Sequence, residues 1–232
     1  MPRLDPRLQT VARHIRCRTH VDIGSDHGHL LKALLASGRI ERGIAVENKT
    51  QPHANSSETL AGYRAEVRFS DGLDGVAVGE AECLSICGMG GRSMTRILQT
   101  HPDRVPPTVI LQPNCKPEFV RRWGLQAGYL LTDETFARGH WRYVVLRFQR
   151  SEAIFVTDGF CDPAYAGIDR EAAILFGPRL IRDGSDELVD LLHEELGYLR
   201  SLDRLGNDRA GRLATIERLL GEMNISESPK DS

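Results

Sequence analysis

No stretch of this sequence approaches the roughly 18 to 20 consecutive apolar residues that a membrane-spanning helix needs. Its start, Met1-Pro2-Arg3, lacks the apolar core of a secretory signal. With 41% hydrophobic and 27% charged residues among 232, the composition is not that of a disordered, collagenous or repeat-built chain. We therefore expect a globular protein that works in the cytoplasm and does not contact a membrane.

The cysteines lack any Cys-x-x-Cys pair, the spacing that is typical of zinc knuckles. Their odd number also argues against a disulfide framework. We expect free structural thiols and no metal ion. The five residues are Cys17, Cys83, Cys87, Cys115 and Cys161.

A net charge of only −2 hides an asymmetry between two parts of the chain. Residues 1–150 carry 21 Lys and Arg against 15 Asp and Glu, whereas residues 151–232 carry 9 against 17. Positive charge of this size can steer a polyanion. The arginines of the first segment, Arg7 and Arg13 among them, can equally form the solvated face of a helix.

Short apolar runs that end in glycine or an acid alternate with segments of helical length, a pattern that predicts a doubly wound α/β sheet. A predicted antiparallel hairpin, formed by residues 129–136 and 141–148, closes one edge and brings the count to about seven strands. The other predicted strands are 20–24, 43–47, 66–69, 83–87 and 108–111, and the predicted helices are 6–16, 30–37, 54–61, 92–99 and 118–127.

Beyond Arg150 the strand pattern stops. Leucines at helical spacing between residues 188 and 202, and again between 213 and 223, predict two helices joined by a tight turn, as an α-helical hairpin or short coiled coil. We therefore predict a catalytic domain at residues 1–155, a helical coiled-coil domain at 156–225 and a disordered tail at 226–232.

The turn after the first strand reads Asp22-Ile23-Gly24-Ser25-Asp26-His27-Gly28. It lacks the Gly-x-Gly-x-x-Gly pattern of dinucleotide sites, and Asp26 would repel a phosphate. S-adenosylmethionine carries a sulfonium and an amino group but no phosphate, so an acidic turn suits it. We expect Asp22, Gly24, Ser25, Asp26 and Gly28 to bind that cofactor.

The next strand ends place further polar groups at the same edge of the sheet. Glu47, about 20 residues downstream, can accept hydrogen bonds from both ribose hydroxyls. Ser70, Asp71 and Gly72 follow the third strand, where they can read an adenine edge. Ligands bind outside the carboxyl ends of such strands, so their order supports a cofactor site.

Two further segments follow the fourth and fifth strands. Cys87, Gly88 and Met89 begin a glycine-rich segment, Cys87-Gly88-Met89-Gly90-Gly91, that offers accessible backbone beside the reactive end of the cofactor. Gln112 and Asn114 offer two carboxamides on a turn that Pro113 fixes. These amides can hydrogen-bond to the edge of a base, or they can only form hydrogen bonds with the backbone of the loop.

Together these motifs resemble the bacterial tRNA (adenine-N1)-methyltransferase family that modifies adenosine 22, a branch of the class I S-adenosylmethionine-dependent methyltransferases. The resemblance covers nearly the whole chain and includes Phe176-Gly177-Pro178 before the C-terminal helices. It implies a Rossmann-like catalytic domain, S-adenosylmethionine as the cofactor and tRNA as the partner. The sequence departs from the family at Gly28-His29-Leu30-Leu31, where members read Ala-Tyr-Leu-Pro.

Adenine N1 has an in-plane lone pair, so methyl transfer to it needs alignment more than a strong base. Our candidate catalytic residues are Asp26, His27, Gln112 and Asn114, and Arg7, Arg13, Arg92 and Arg96 are candidates for binding tRNA phosphates. Two alternatives stay open at this point: a methyltransferase for another RNA or a protein, and a non-catalytic RNA-binding scaffold.

Overall fold

The computed structural model describes residues 4–151 and 161–226 and divides the chain into two compact units, Met1–Asp162 and Pro163–Ser232. The predicted boundary between residues 155 and 156 lies outside the described residues. The predicted disordered tail at 226–232 also lies outside them except for Ser226, which is the last residue of a helix and not part of a tail. No helix within the described ranges is both long enough and apolar enough to cross a membrane.

The first unit alternates strands with helices, as the sequence predicts. Its strands are β1 (Thr19–Ile23), β2 (Arg42–Glu47), β3 (Ala65–Phe69), β4 (Cys83–Gly90), β5 (Thr108–Cys115), β6 (Tyr129–Arg138) and β7 (Arg142–Arg150). Its helices are α1 (Pro6–Arg13), α2 (His29–Ala36), α3 (Thr50–Leu60), α4 (Gly91–Thr100) and α5 (Pro117–Ala127).

These strands form one seven-stranded sheet in the order β3-β2-β1-β4-β5-β7-β6. The first five strands are parallel, and the β6–β7 hairpin joins β5 in antiparallel sense. The order reverses direction at β1 and β4, where the carboxyl ends of the strands leave a crevice. The predicted Rossmann-like α/β fold is confirmed.

Helix α1 begins where the sequence supplies its signals. The Asp5 carboxylate accepts a hydrogen bond from the Leu8 N–H at 3.0 Å, and Pro6 occupies the first turn. Val11 and Ile15 are fully buried against the sheet. The predicted end at Arg16 is wrong by three residues, because the chain leaves the helix after Arg13 and the Cys17 N–H pairs with the Arg39 carbonyl.

Strands β4 and β5 run three to four residues further than predicted. The Gly88-Met89-Gly90 and Gln112-Pro113-Asn114 segments, predicted to follow the strands, lie inside them. The pairing shifts register on both sides of Met89, opposite Pro113. This irregularity lets the sheet accept a proline, which has no N–H to donate.

Helices α4 and α5 begin very close together. A Cβ on Gly91, the first residue of α4, would overlap the carbonyl oxygen of Lys116, just before α5. Because that atom belongs to the backbone, no side-chain rotation can make room for it. Glycine is therefore required at position 91 by close approach.

The second unit is helical: α6 (Arg170–Phe176), α7 (Pro178–Asp183), α8 (Asp186–Arg200) and α9 (Asn207–Ser226). Leu188 and Leu192 of α8 and Ile216 and Leu219 of α9 are buried. Two helices were predicted, and α6 and α7 were missed. They are too short for a periodic pattern and depend on end signals, the Asp169 cap and Pro178. A coiled coil stays a prediction.

Candidate active site

The glycine turn after β1 has a left-handed backbone at three residues, Gly24, Asp26 and Gly28. Gly24 has a φ of +70°, and its N–H donates to the Val46 carbonyl at 2.9 Å. Met89 lies directly over Gly24, where a Cβ would overlap its terminal methyl group. Asp26 has a φ of +58°, an uncommon value for a residue with a side chain. The loop thus presents bare backbone and an exposed carboxylate.

Glu47, the last residue of β2, is 5% exposed. Its Oε1 accepts a short hydrogen bond from the Asp26 N–H. Burial raises the pKa of Glu47, the Asp26 N–H opposes this, and the nearby charges of Asp22 and Asp26 raise it further. A ligand with hydroxyl or ammonium donors would relieve this cost, whereas a phosphate would increase it.

Asp22 lies within β1 and is 4% exposed. It accepts a hydrogen bond from the Ser85 hydroxyl at 2.5 Å, and Ser85 Oγ is itself 2.8 Å from His20 Nε2. Burial raises the pKa of Asp22, and the Ser85 bond and the charge of Arg7 oppose that rise. Hydrogen bonds therefore connect three buried polar side chains of β1 and β4, His20, Ser85 and Asp22, beneath the glycine turn.

A cavity of about 710 Å³ opens at the carboxyl ends of the strands. Of the residues predicted to bind cofactor, those that line it are Gly24, Glu47, Ser70, Asp71, Gly72 and Met89. The predicted residues that do not line it are Asp22, Ser25, Asp26, Gly28, Cys87 and Gly88. Gly28 instead packs towards Leu60 and Ser56. This volume is within the usual size of small-molecule sites.

The cavity also has walls that the sequence reasoning missed: Asn48 and Lys49 after β2, and Ser93 and Ile97 on α4. Asn48 Nδ2 donates to Asp71 Oδ1 at 2.9 Å and so connects two strand ends. A signal existed for each pair. Asn48 directly follows Glu47, and the four-residue spacing of Ser93 and Ile97 places them on one helix face.

The two carboxamides on β5 are engaged with the backbone of β4. Gln112 is fully buried, and its Oε1 accepts from the Gly88 N–H at 3.2 Å and, at shorter distance, from Arg7 Nη1. Asn114 is exposed, and its Nδ2 donates to the Gly88 carbonyl at 2.7 Å. Both amides thus hold Gly88, which has a φ of +75°.

The four candidate arginines are not brought together. Arg7 lines a second cavity of about 450 Å³ with Arg138, His140 and Tyr143. Arg13 lines a different apolar groove between α1 and α2, and Arg96 lines the large cavity. Arg92 stacks on the Phe119 ring at 4.5 Å. Arg7 alone reaches both the second cavity and the Gln112–Gly88 contact.

Comparison with known proteins gives this arrangement its context. The family described as Methyltransferase domain matches residues 4–146. A curated Bacillus subtilis protein named tRNA (adenine(22)-N(1))-methyltransferase is 30% identical over 207 residues, which are 86% of this chain and 84% of that protein. The chain belongs to this methyltransferase family. The family prediction from the sequence is confirmed.

Solved structures of the family have the same fold. The crystal structure of the Bacillus subtilis m1A22 tRNA methyltransferase has a TM-score of 0.81 at 27% identity and covers 96% of this chain and 99% of its own. A Streptococcus pneumoniae structure in complex with S-adenosyl-L-methionine has a TM-score of 0.79 at 23% identity and covers 94% and 100%.

In this chain, the candidate catalytic residues Asp26 and His27 lie on the exposed part of the glycine turn. Their Oδ2 and Nε2 atoms are 3.7 Å apart, and the His27 ring stacks on His29 at 5.5 Å. Both side chains are therefore accessible to a large substrate. Their catalytic role stays a prediction.

Proposed function

We propose that this chain transfers the methyl group of S-adenosylmethionine to N1 of adenosine 22 in tRNA. The observation that carries the proposal is the buried, unneutralised Glu47 at the wall of a cavity of about 710 Å³, in a chain of the tRNA (adenine(22)-N(1))-methyltransferase family. This acidic edge favours a cationic nucleoside over a phosphorylated one. We also propose that the protein acts in the cytoplasm, where tRNA is available.

The cavity fits the cofactor on three counts. Glu47 Oε1 is used by Asp26, so Oε2 is the oxygen that we assign to the ribose hydroxyls. Ser70, Asp71 and Gly72 line the cavity and are the residues that we assign to the adenine, and Met89 and Gly24 line it as well. Asp22 and Asp26 supply negative potential for the amino group and the sulfonium.

When bound, S-adenosylmethionine would supply the methyl group: the S–CH3 bond would break as the N1–CH3 bond forms, and the positive charge would pass from sulfur to the adenine as S-adenosylhomocysteine leaves. The chain itself supplies alignment, which can contribute about 7 to 11 kcal/mol to lowering a barrier. Gln112 and Asn114 hold the Gly88 backbone, the segment that we assign to the reactive end of the cofactor. The Asp26 carboxylate favours the positive charge that develops on the adenine, and His27 contacts its N6 amine or ribose.

N1 lies on the Watson–Crick edge, so the target adenosine must be unpaired or flipped out, at a cost of a few kcal/mol. We propose that Arg7, Arg13, Arg92 and Arg96 contribute to holding the RNA backbone during this step. Charge reversal of Arg7 should lower tRNA affinity most, because Arg7 also reaches Gln112. The slope of log affinity against log salt should decrease with each lost phosphate contact.

The test is transfer of labelled methyl groups to total tRNA, followed by mapping of the modified nucleotide. We expect 1-methyladenosine at position 22, and no label when that adenosine is replaced by guanosine. Asp26→Ala should abolish transfer, whereas Asp103→Ala, which removes an exposed carboxylate outside the cavity, should not. Label in ribosomal RNA or protein would favour the alternative target, and no cofactor binding would favour the scaffold.

A further inference from the structure

Three potential metal ligands meet at the amino-terminal edge of the sheet, opposite to the edge with the large cavity. The Sγ atoms of Cys17 and Cys83 and a ring nitrogen of His20 all lie within 4.8 Å of one another. His20 and Cys83 are register partners on the adjacent strands β1 and β4, and Cys17 lies two residues before β1. The sequence predicts no metal because these residues do not form a recognisable spacing.

The protonation of His20 follows from its hydrogen bonds. Ser85 has one hydroxyl hydrogen, which it donates to Asp22 Oδ1. The contact of 2.8 Å between Ser85 Oγ and His20 Nε2 therefore requires that Nε2 carries the proton. The ring is fully buried, where a charged imidazolium would lose its hydration, so the neutral form is favoured. Its Nδ1 is left with a lone pair.

That lone pair has no use in the fold. His20 is fully buried, and Nδ1 has no hydrogen-bond partner among the residues that the structure describes. Leaving a buried polar atom unpaired is costly, so such atoms call for an explanation. An imidazole nitrogen beside two sulfurs is a typical donor set for a zinc ion.

The surroundings match those of a bound metal in two further ways. Metal-binding histidines usually donate their other N–H to an oxygen, which fixes the ring, and His20 does so through Ser85 to the Asp22 carboxylate. Two thiolates and a neutral imidazole also neutralise a divalent cation, which suits a buried site. Cys17 is partly exposed, which leaves an entry path and a fourth position for water.

We propose that Cys17 Sγ, Cys83 Sγ and His20 Nδ1 bind one Zn²⁺ ion. Two S–H bonds break on binding, two Zn–S bonds form, and both protons pass to solvent, so affinity should fall as the pH is lowered. The ion ties the segment before β1 to the start of β4. This site lies at the opposite edge of the sheet from the large cavity, and hydrogen bonds from His20 through Ser85 connect it to Asp22, one of the residues assigned to the cofactor.

The test starts with protein freed of metal by a chelator and then titrated with Zn²⁺ in competition with a chromophoric chelator. We expect one ion per chain and a thermal unfolding midpoint that rises by a few degrees with Zn²⁺. Co²⁺ in place of Zn²⁺ should give a sulfur-to-metal charge-transfer band. A chain that binds no Zn²⁺ and gives no band with Co²⁺ would overturn the proposal.

Cys17→Ser is the decisive variant, because its side chain is partly exposed and the fold should tolerate the change. It should lose the Co²⁺ band and at least tenfold in Zn²⁺ affinity. Cys161→Ser, at an exposed cysteine outside the cluster, is the matched control and should keep both. Unchanged binding by Cys17→Ser, or equal losses in the two variants, would assign the metal to another place. Cys83→Ser, if it folds, should also lose the Co²⁺ band and Zn²⁺ affinity.

Discussion

Two glutamates in different parts of the sheet are buried to the same extent but have different partners. Glu47 at the end of β2 is 5% exposed, and Glu134 on β6 is 4% exposed. Glu134 accepts from Arg121 Nε at 2.7 Å, and that guanidinium is buried as well. Within the described part of the chain, no Lys or Arg forms an ion pair with Glu47, and the neighbouring charges include Asp22 and Asp26.

Burial alone does not give a carboxylate its role. A buried acid with an arginine partner belongs to the fold, and removing one partner leaves a costly charge. A buried acid such as Glu47, whose pKa is raised mainly by burial and also by the charges of Asp22 and Asp26 against the opposing Asp26 N–H and His53, costs stability in the free protein. It is retained where a ligand supplies the missing donors.

The largest effect is expected for Glu134→Gln. This change removes the negative charge beside the buried Arg121 and should lower the free energy of unfolding by about 3 to 5 kcal/mol. Urea unfolding measures it. Cofactor affinity of the folded protein should stay within twofold of wild type. A loss below about 1 kcal/mol would mean that the pair contributes no more than a surface ion pair.

Glu47→Gln should show the opposite pattern. The amide keeps an oxygen for the Asp26 N–H but weakens the bonds to ribose hydroxyls, at a cost of about 1.5 to 3 kcal/mol, or roughly 10- to 150-fold in Kd. Calorimetric titration with S-adenosylmethionine measures this. The free energy of unfolding should be unchanged or slightly higher, because the substitution removes a buried negative charge that Asp22 and Asp26 repel. Unchanged affinity would remove Glu47 from the cofactor site.

The pH dependence of cofactor binding sharpens the same contrast. Burial raises the pKa of Glu47 above 4.5, and hydroxyl donors prefer the ionised carboxylate. As pH falls through the raised pKa, a proton must be displaced before binding, so affinity should fall by up to about tenfold per pH unit. The same charge destabilises the free protein at neutral pH, and this cost disappears as pH falls. Glu47→Gln should flatten the affinity profile, and an equally steep profile in that variant would contradict the assignment.

The smallest effect is expected for an exposed pair in the helical unit. Arg218 Nη2 lies 2.8 Å from Asp169 Oδ1, and the two side chains are 42% and 44% exposed. Arg218→Ala should change the free energy of unfolding by at most about 1 kcal/mol, because solvent screens the pair. Thermal unfolding at low and high salt measures it. A loss similar to that of Glu134→Gln would show that exposure is a poor guide to ion-pair strength in this protein.

The sequence predicted the sheet and the six cofactor residues that line the cavity because both depend on local signals. Apolar runs ending in Gly24 or Glu47 mark strand ends, and parallel strands place such ends at one edge. The extensions of β4 and β5 were missed because Gly88 and Pro113 usually end strands, and their pairing across a register shift involves two distant segments.

Other features were hidden by distance along the chain or were overlooked. Cys17 and Cys83 become neighbours only through the pairing of β1 with β4, which no spacing reveals. The separation of Arg7 from Arg13 was within reach of the sequence. Six residues along an α-helix turn the side chain by roughly 240°, so the two arginines belong to different faces.

The contact between Gly91 and the Lys116 carbonyl has a consequence for interpreting sequence variation. Any other amino acid at position 91 would force the starts of α4 and α5 apart and would displace Gly90 and Cys115 beside them. Saturation mutagenesis should find this position intolerant, with inactive variants that retain secondary structure. A residue that contacts a ligand would show the same intolerance to substitution. At position 91 the cause is instead the close approach of the Gly91 and Lys116 backbones.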